Sequence, residues 1–309
     1  MAQLQNEFSW SKSRHEKFVD CRRAYFYTYY GSWGGWEAPA GSQVRELYVL
    51  KKLSSRWQWA GSVVHDALKQ LLTRARATGD VRPLERVLEQ TRLKARAQFA
   101  VSREKSYWRE SSRIVGLTEH EYAEPVKDEE WKRLYDSVIE GSLRAFYASG
   151  TFEEIRRTPR DRWLTVDELD SWSFEGTKIW AAVDFAYRDG DGRVHLLDWK
   201  TGQERGADHL QVGTYALYAH QKWDAPTDGV VGGLVYLAQA GGAAAERVDV
   251  VADEPTLEAC RETMRGSIAA MKGTLQEPSR NAALLAAFPQ VEAREGCRRC
   301  PFRRPCGRL

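Results

Sequence analysis

The sequence predicts a mixed α/β fold, a sheet flanked by helices, with one stretch of the chain all-helical. Three observations predict it. In the first half of the chain, several segments place apolar residues at helical spacing. After Pro159, short runs rich in Val, Ile, Trp and Tyr are typical of strands. Their order with the intervening helical segments, three strands, a helix, two strands and a helix, is typical of a mixed sheet covered by helices.

The composition excludes several classes of protein. The chain has 309 residues, 42% of them apolar and 29% charged, which is the composition of a globular protein with a large core. It has no run of 18 uncharged apolar residues, and its N-terminus lacks an apolar signal region. We therefore expect a cytoplasmic protein without a membrane span. The net charge of +3 permits nucleic-acid binding through a local patch but does not by itself indicate it.

The N-terminal part of the sequence predicts three helices. They are expected over residues 11–30, 43–57 and 63–79, where apolar residues recur along one face. Ser11 or Ser13 is the expected N-cap of the first helix.

The middle of the sequence predicts further helices and no strand. Residues 83–105 and 128–149 are amphipathic, with Arg and Lys on the solvent face, and we interpret this region as an all-helical insertion. The strands and the remaining helices follow it. The expected segments are an N-terminal helical part of the core (1–79), the insertion (80–158), the sheet-containing core (159–275) and a C-terminal cysteine segment (276–309).

A predicted β-hairpin over residues 179–200 carries the candidate chemistry. A three-residue loop, Gly190 to Gly192, would pair the flanking residues so that the numbers in every cross-strand pair sum to 382. Asp184 then lies opposite Asp198, with Lys200 on the same face. A two-residue loop would send the two aspartates to opposite faces.

Two carboxylates that face each other among apolar residues repel unless a cation or a proton lies between them. A hard divalent ion such as Mg²⁺ or Mn²⁺ is the simplest partner. With Lys200 beside the ion, the arrangement suits metal-assisted hydrolysis of a phosphodiester. The alternative is that Asp198 and Lys200 are polar residues paired along the solvent face of a strand.

Four motifs together resemble a known family. The order G-x-x-x-H, a single Asp, D-W-K-T-G and Q-x-x-x-Y is similar to that of the RecB-like branch of the PD-(D/E)XK nuclease superfamily. The resemblance is greatest to CRISPR-associated RecB-like exonucleases and to the nuclease domains of AddAB-type helicase–nucleases, and it covers residues 10–75 and 160–309. The motifs stand at Gly61 to His65, Asp184, Asp198 to Gly202 and Gln211 to Tyr215.

The resemblance implies a restriction-endonuclease-like sheet and a set of site residues. It assigns His65, Asp184, Asp198 and the main-chain carbonyl of Trp199 to the metal ion, and Lys200 to catalysis. Gln211 and Tyr215 would position the lysine, the water or the DNA strand. Taken alone, His65 fits a structural histidine, and Gln211 and Tyr215 fit an ordinary pair one helical turn apart.

Other acidic residues lie close to these motifs in the sequence. Asp66 follows His65 directly and should point elsewhere on the helix. Asp167, Glu168 and Asp170 precede the hairpin, either as a further acid near the site or as a solvated strand end.

The cysteines predict a second metal centre. Cys297, Cys300 and Cys306 lack a nearby fourth ligand, and the remaining candidate is Cys21, at the other end of the chain. The resemblance implies that these four thiolates bind a [4Fe–4S] cluster that joins the chain ends. Zinc in the same site is the alternative. Cys260 lies in a predicted helix as a buried apolar residue.

The function that the resemblance implies is metal-dependent hydrolysis of DNA, by an exonuclease acting on single-stranded ends. The alternative is a subunit that binds or processes DNA ends for an integrase-like or helicase partner, in CRISPR adaptation, recombination and repair, or antiviral defence. A third hypothesis is a DNA-binding protein without a nuclease site, in which the four cysteines bind zinc. The chain has no Walker A motif. Trp33 and Trp36 lie in a Gly-rich loop, where they could stack on bases.

Overall fold

The computed structural model describes residues 5–37, 40–109, 114–202, 208–226, 229–237 and 244–308. Within this part of the chain, six strands form one mixed sheet flanked by helices, which confirms the predicted fold class. The strands are β1 (Ser9–Trp10), β2 (Trp163–Phe174), β3 (Thr177–Arg188), β4 (Val194–Lys200), β5 (Val230–Tyr236) and β6 (Glu246–Val251).

The helices account for most of the remaining described chain. Before the main sheet they are α1 (Lys12–Asp20), α2 (Arg22–Phe26), α3 (Ser42–Leu50), α4 (Arg56–Thr78), α5 (Leu84–Arg103), α6 (Thr118–Glu121), α7 (Asp128–Leu134), α8 (Gly141–Tyr147) and α9 (Gly150–Arg157). Within and after the sheet they are α10 (Asp208–Trp223) and α11 (Glu254–Lys272).

The predicted register of the hairpin is confirmed. Phe185 pairs with Leu197 and Arg188 with Val194, so the paired residue numbers sum to 382. The Asp189 amide donates to the Arg193 carbonyl at 2.9 Å and closes the three-residue loop. Asp184 and Asp198 are the next residues beyond this pairing, and the odd loop length brings them to the same level of the two strands.

Three strands pair with β3, an arrangement that the sequence did not predict. β2 pairs antiparallel with β3 over Thr177–Tyr187 and so occupies one of its edges. β1 pairs parallel with Lys178 and Ile179, and β4 pairs antiparallel with β3 from Phe185 onward, so both must lie along the other edge. The C-terminal ends of β1 and β4 consequently converge beside the middle of β3.

Two apolar layers cover the sheet. On one face, α4 packs with Phe185, Leu197 and Trp199. On the other, α10 and α11 pack against residues that include Ala186 and Leu196. The residues that converge in the middle of β3 therefore lie between α4 and α10.

Three predicted helix boundaries were wrong. The helix expected over 11–30 is interrupted at Cys21, whose extended backbone separates α1 from α2 and whose sulfur accepts from the Ala24 amide. The helix expected over 43–57 ends at Leu50, and α4 begins earlier than predicted, at Arg56. Ser55 and Gln58 form a capping box there, an N-terminal signal strong enough to include Gly61 and Ser62 in the helix.

Other predicted features are confirmed. Ser11 caps α1 by accepting from the Arg14 amide. Helix α5 matches the prediction for 83–105, and Cys260 is buried on α11, with its sulfur 4.0 Å from that of Met264. Separately, none of the helices described combines the length and the apolar character that a membrane span requires.

Candidate active site

The two hairpin aspartates are buried side by side at the point where β1 and β4 converge. Asp184 is 7% exposed and Asp198 5%. An oxygen of Asp184 accepts from the Trp199 amide at 2.7 Å, which links the carboxylate of one strand to the backbone of the next. The side chain of Trp199 packs edge-on against Phe146, and this contact fixes the end of β4 against the helical layer.

An irregularity in β3 turns Asp184 toward α4. Val183 packs in the α10 layer and Phe185 in the α4 layer, although residues two apart in a regular strand share a face. Val166 pairs with Phe185 and Glu168 with Val183, so Asp167 lies opposite Asp184, but these two residues do not pair. Asp167 has a left-handed φ of 46°. This local break in the pleat lets the Asp184 carboxylate reach a residue from the opposite layer.

That residue is His65, whose Nδ1 lies 3.1 Å from an oxygen of Asp184. Burial alone would lower the pKa of His65, but the Asp184 charge and hydrogen bond outweigh it and raise the pKa to about 9. Gly61 lies one turn earlier on α4, and a Cβ there would come within 2.9 Å of the Thr201 hydroxyl. The glycine of the G-x-x-x-H motif therefore allows α4 to approach the end of β4.

Lys200 and Gln211 bind the second carboxylate. The Lys200 ammonium lies 2.7 Å from one oxygen of Asp198. Gln211 donates to the other oxygen at 2.5 Å and accepts from Lys200 at 2.7 Å. Burial, together with the Asp184 charge, nevertheless raises the pKa of Asp198 to about 6. Asp198 therefore holds its negative charge less readily than an exposed aspartate does.

Tyr215 and Lys12 complete the arrangement around Gln211. The Gln211 amide also donates to the Tyr215 hydroxyl at 2.9 Å, and that hydroxyl donates to the Ala182 carbonyl at 2.7 Å. Burial raises the pKa of Tyr215 well above its usual value, so it remains a neutral donor. Lys12 donates to the Gln211 carbonyl oxygen at 3.3 Å.

The predicted site residues thus come together, the structure adds Lys12, and of the three acids that precede the hairpin it brings Asp167 close to the site. Lys12 has no sequence signal, because its position depends on a strand of only two residues. Asp167 is half-buried, bonded to Lys69 at 3.2 Å, and close enough to Asp184 and His65 to interact with their charges. Asp66 points away, toward Lys94 and Gln70, as predicted.

The donor set suits a hard divalent cation, since it combines two carboxylates with an imidazole. In the described residues, however, no three or more His, Cys, Asp and Glu side chains are arranged as a metal-binding group. His65 and Lys200 are bonded to the two carboxylates directly. The Trp199 amide donates to Asp184 at this site. Metal binding by the Trp199 carbonyl stays a prediction.

The four candidate cluster ligands line one small cavity between the N-terminal helices and the C-terminal segment. Cys21, Cys297, Cys300 and Cys306 are all free thiols, although they too are not arranged as a metal-binding group in the described residues. Burial raises the pKa of the Cys300 thiol to about 11. Four thiols that share a cavity without a disulfide are chemically suited to a four-thiolate metal centre.

The comparisons with known proteins identify the family. The sequence profile of the PD-(D/E)XK nuclease superfamily matches residues 9–307. A comparison with curated proteins finds no match. Among solved structures, the one titled "Crystal structure of SSO0001" is 13% identical and covers 60% of this chain and 89% of its own. Its TM-score of 0.28 is too low to support an argument about this chain.

Proposed function

This chain belongs to the PD-(D/E)XK nuclease superfamily, and we propose that it is a divalent-metal-dependent deoxyribonuclease of the RecB-like branch. The observation that supports the proposal most is the buried pair Asp184 and Asp198, with His65 on one side and Lys200 on the other. Family membership alone indicates a nuclease; DNA as the substrate, and single-stranded ends in particular, are our proposal.

The proposed ligands are His65, Asp184, Asp198 and the Trp199 carbonyl. A bound Mg²⁺ or Mn²⁺ would lower the pKa of the attacking water and neutralise charge on the phosphate. Lys200, held by Asp198 and Gln211, would stabilise negative charge that develops on the phosphate oxygens. Gln211 and Tyr215 act as positioning residues, because their hydrogen bonds fix the orientation of Lys200 and Asp198.

We further propose that Cys21, Cys297, Cys300 and Cys306 bind a structural [4Fe–4S] cluster, with zinc as the alternative. Their common cavity supports a single centre for all four thiols. Contacts independent of any metal also hold the C-terminal segment: Tyr27 donates to the Pro305 carbonyl, and Tyr122 to that of Pro301.

Cleavage of linear and circular single-stranded DNA tests the proposed function. We expect the purified protein to shorten an end-labelled linear strand with Mg²⁺ or Mn²⁺, to leave circular single strands intact, and to be inactive in EDTA. Cleavage of the circle would contradict the exonuclease mode. Salt-sensitive DNA binding without cleavage under either ion would contradict the nuclease and support an end-binding subunit.

Metal binding at this site should depend on pH in a defined direction. In the metal-free protein the pKa values of Asp198 and His65 are raised, so the stability due to their protons is lost as pH rises through about 6 and about 9. A cation competes with those protons. We therefore expect Mg²⁺ to raise the melting temperature more at about pH 8.5 than at about pH 6. Equal shifts at both pH values would contradict the ligand assignment.

A further inference from the structure

A group of basic residues on the N-terminal helices has no role in the chemistry described so far. Arg14 stands on α1, and Lys51 and Lys52 follow α3 directly. We refer to these three residues as the basic cluster. Lys51 and Lys52 both lie near the Tyr48 ring of α3, and Arg14 stacks on Tyr29, which belongs to a segment packed against α3.

The cluster carries uncompensated positive charge. Within the described residues, none of its three side chains forms an ion pair with a carboxylate. Arg14 donates to the Ser9 carbonyl and stacks on the Tyr29 ring, 4.1 Å from its centroid. Burial, reinforced by the two neighbouring charges, lowers the pKa of half-buried Lys51 to about 8. A site that keeps unpaired cations together attracts an anion.

Aromatic rings extend from the cluster. The ammonium groups of Lys51 and Lys52 lie 5.0 and 5.8 Å from the centre of the Tyr48 ring. The Trp36 ring lies 6.0 Å from that of Tyr48, and the Trp33 ring 5.0 Å from that of Trp36. Trp33 is 37% exposed. Cations beside exposed rings are what proteins use to bind single-stranded nucleic acid, whose phosphates and bases are both accessible.

The cluster is connected to the active site through α1. Because β1 runs parallel to β3 and ends beside its middle, α1 begins at the site itself. Lys12, in the first turn of α1, contacts Gln211, which in turn contacts Asp198 and Lys200. Arg14 is two residues further along the same helix. Arg14 and the active site therefore lie at the same end of α1, with Arg14 about 3 Å further along the helix axis than Lys12.

We propose that the basic cluster binds phosphates of a single DNA strand next to the phosphate that is cut, while Trp33 stacks on a base. The proposal rests on the proposed nuclease function and deepens it, because it assigns the residues that favour a single strand. Unpaired positive charge supplies affinity, and the rings require unpaired bases.

Binding of fluorescein-labelled oligothymidylate of 20 nucleotides, measured in EDTA to prevent cleavage, tests the proposal. We expect the double variant Lys51→Ala/Lys52→Ala to bind about tenfold more weakly, and the slope of log Kd against log salt to fall by about 1.4, the value for two lost phosphate contacts to a single strand. The matched control is Lys127→Ala/Lys132→Ala, which removes the same charge from α7 and its N-terminus. It should bind as the wild type does.

Two single variants distinguish a loss of DNA binding from a loss of folding. Lys52 is exposed, so Lys52→Ala alone should fold normally and reduce the slope by about 0.7. Trp33→Ala should weaken binding by about tenfold without changing the slope, because stacking releases no counterions. Equal losses in both double variants, or none in either, would overturn the proposal.

The same experiment separates this proposal from the proposed function. DNA cleavage by a protein whose cluster variants bind like the wild type would overturn the cluster proposal alone. Binding with the expected salt slopes, but no cleavage with Mg²⁺ or Mn²⁺, would overturn the nuclease proposal. The proposal that the basic cluster binds DNA would still stand.

Discussion

Asp198→Asn is expected to reduce metal-dependent DNA cleavage by at least about 10³-fold, because it removes one of two carboxylates proposed to hold the cation. The same change should alter the melting temperature of the metal-free protein only slightly at neutral pH, because removing a buried charge is offset by the loss of an acceptor for Lys200 or Gln211. Burial and the neighbouring Asp184 charge raise the pKa of Asp198, so its ionised form is unfavourable without a metal. Asparagine has nearly the same shape and no charge.

Steady-state cleavage and melting in EDTA measure the two effects together. The control is Asp66→Asn, next to His65 in sequence, which removes a carboxylate bonded to Lys94 and Gln70 rather than to the site. It should retain cleavage. An Asp198→Asn protein that cuts DNA at the wild-type rate would refute the catalytic assignment. Loss of activity accompanied by a large fall in melting temperature would indicate a structural role instead.

Cys297→Ala is expected to remove iron and its visible absorbance from anaerobically purified protein, and to lower the melting temperature by roughly 10 °C. The reason is that the proposed cluster joins Cys21 to the C-terminus, and losing such a link across a long loop costs roughly 3 kcal/mol. The C-terminal segment should stay attached, because Phe302 is buried and Arg304 pairs with Glu46 and Glu121.

Cys260→Ala is the control for this prediction. Cys260 is 4% exposed, whereas Cys297 is half-buried, so packing alone would make Cys260 the more costly residue to truncate. The opposite order, with iron lost only in Cys297→Ala, is what the cluster predicts. One zinc per chain in the wild type would support the zinc alternative, and a stable wild type without either metal would refute the proposed metal centre.

The hairpin was predictable because its register depends on local information. The loop from Gly190 to Gly192 sets which residues pair, and the pairs from Arg188–Val194 to Phe185–Leu197 leave Asp184 and Asp198 as the next two residues of their strands. His65, Gln211 and Tyr215 were predicted only through their resemblance to a family, because nothing in their own neighbourhoods indicates which face of the sheet they reach.

The remaining features depend on long-range contacts that leave little trace in the sequence. Lys12 reaches the site only because β1, two residues long, pairs beside Ile179. Cys21 interrupts a pattern that reads as one continuous helix, and the break becomes evident only from its extended backbone. The early start of α4 was predictable from Ser55 and Gln58, a capping signal that outweighs the helix-weakening glycine at position 61.

The central claim is that one divalent cation binds between Asp184 and Asp198. Anomalous diffraction from crystals soaked in Mn²⁺ tests it most directly. The claim predicts one strong peak at about 2.1 Å from an oxygen of each aspartate, with the His65 imidazole turned toward it. A crystal with Mn²⁺ bound elsewhere, and with His65 and Lys200 still bonded to the two carboxylates, would contradict it.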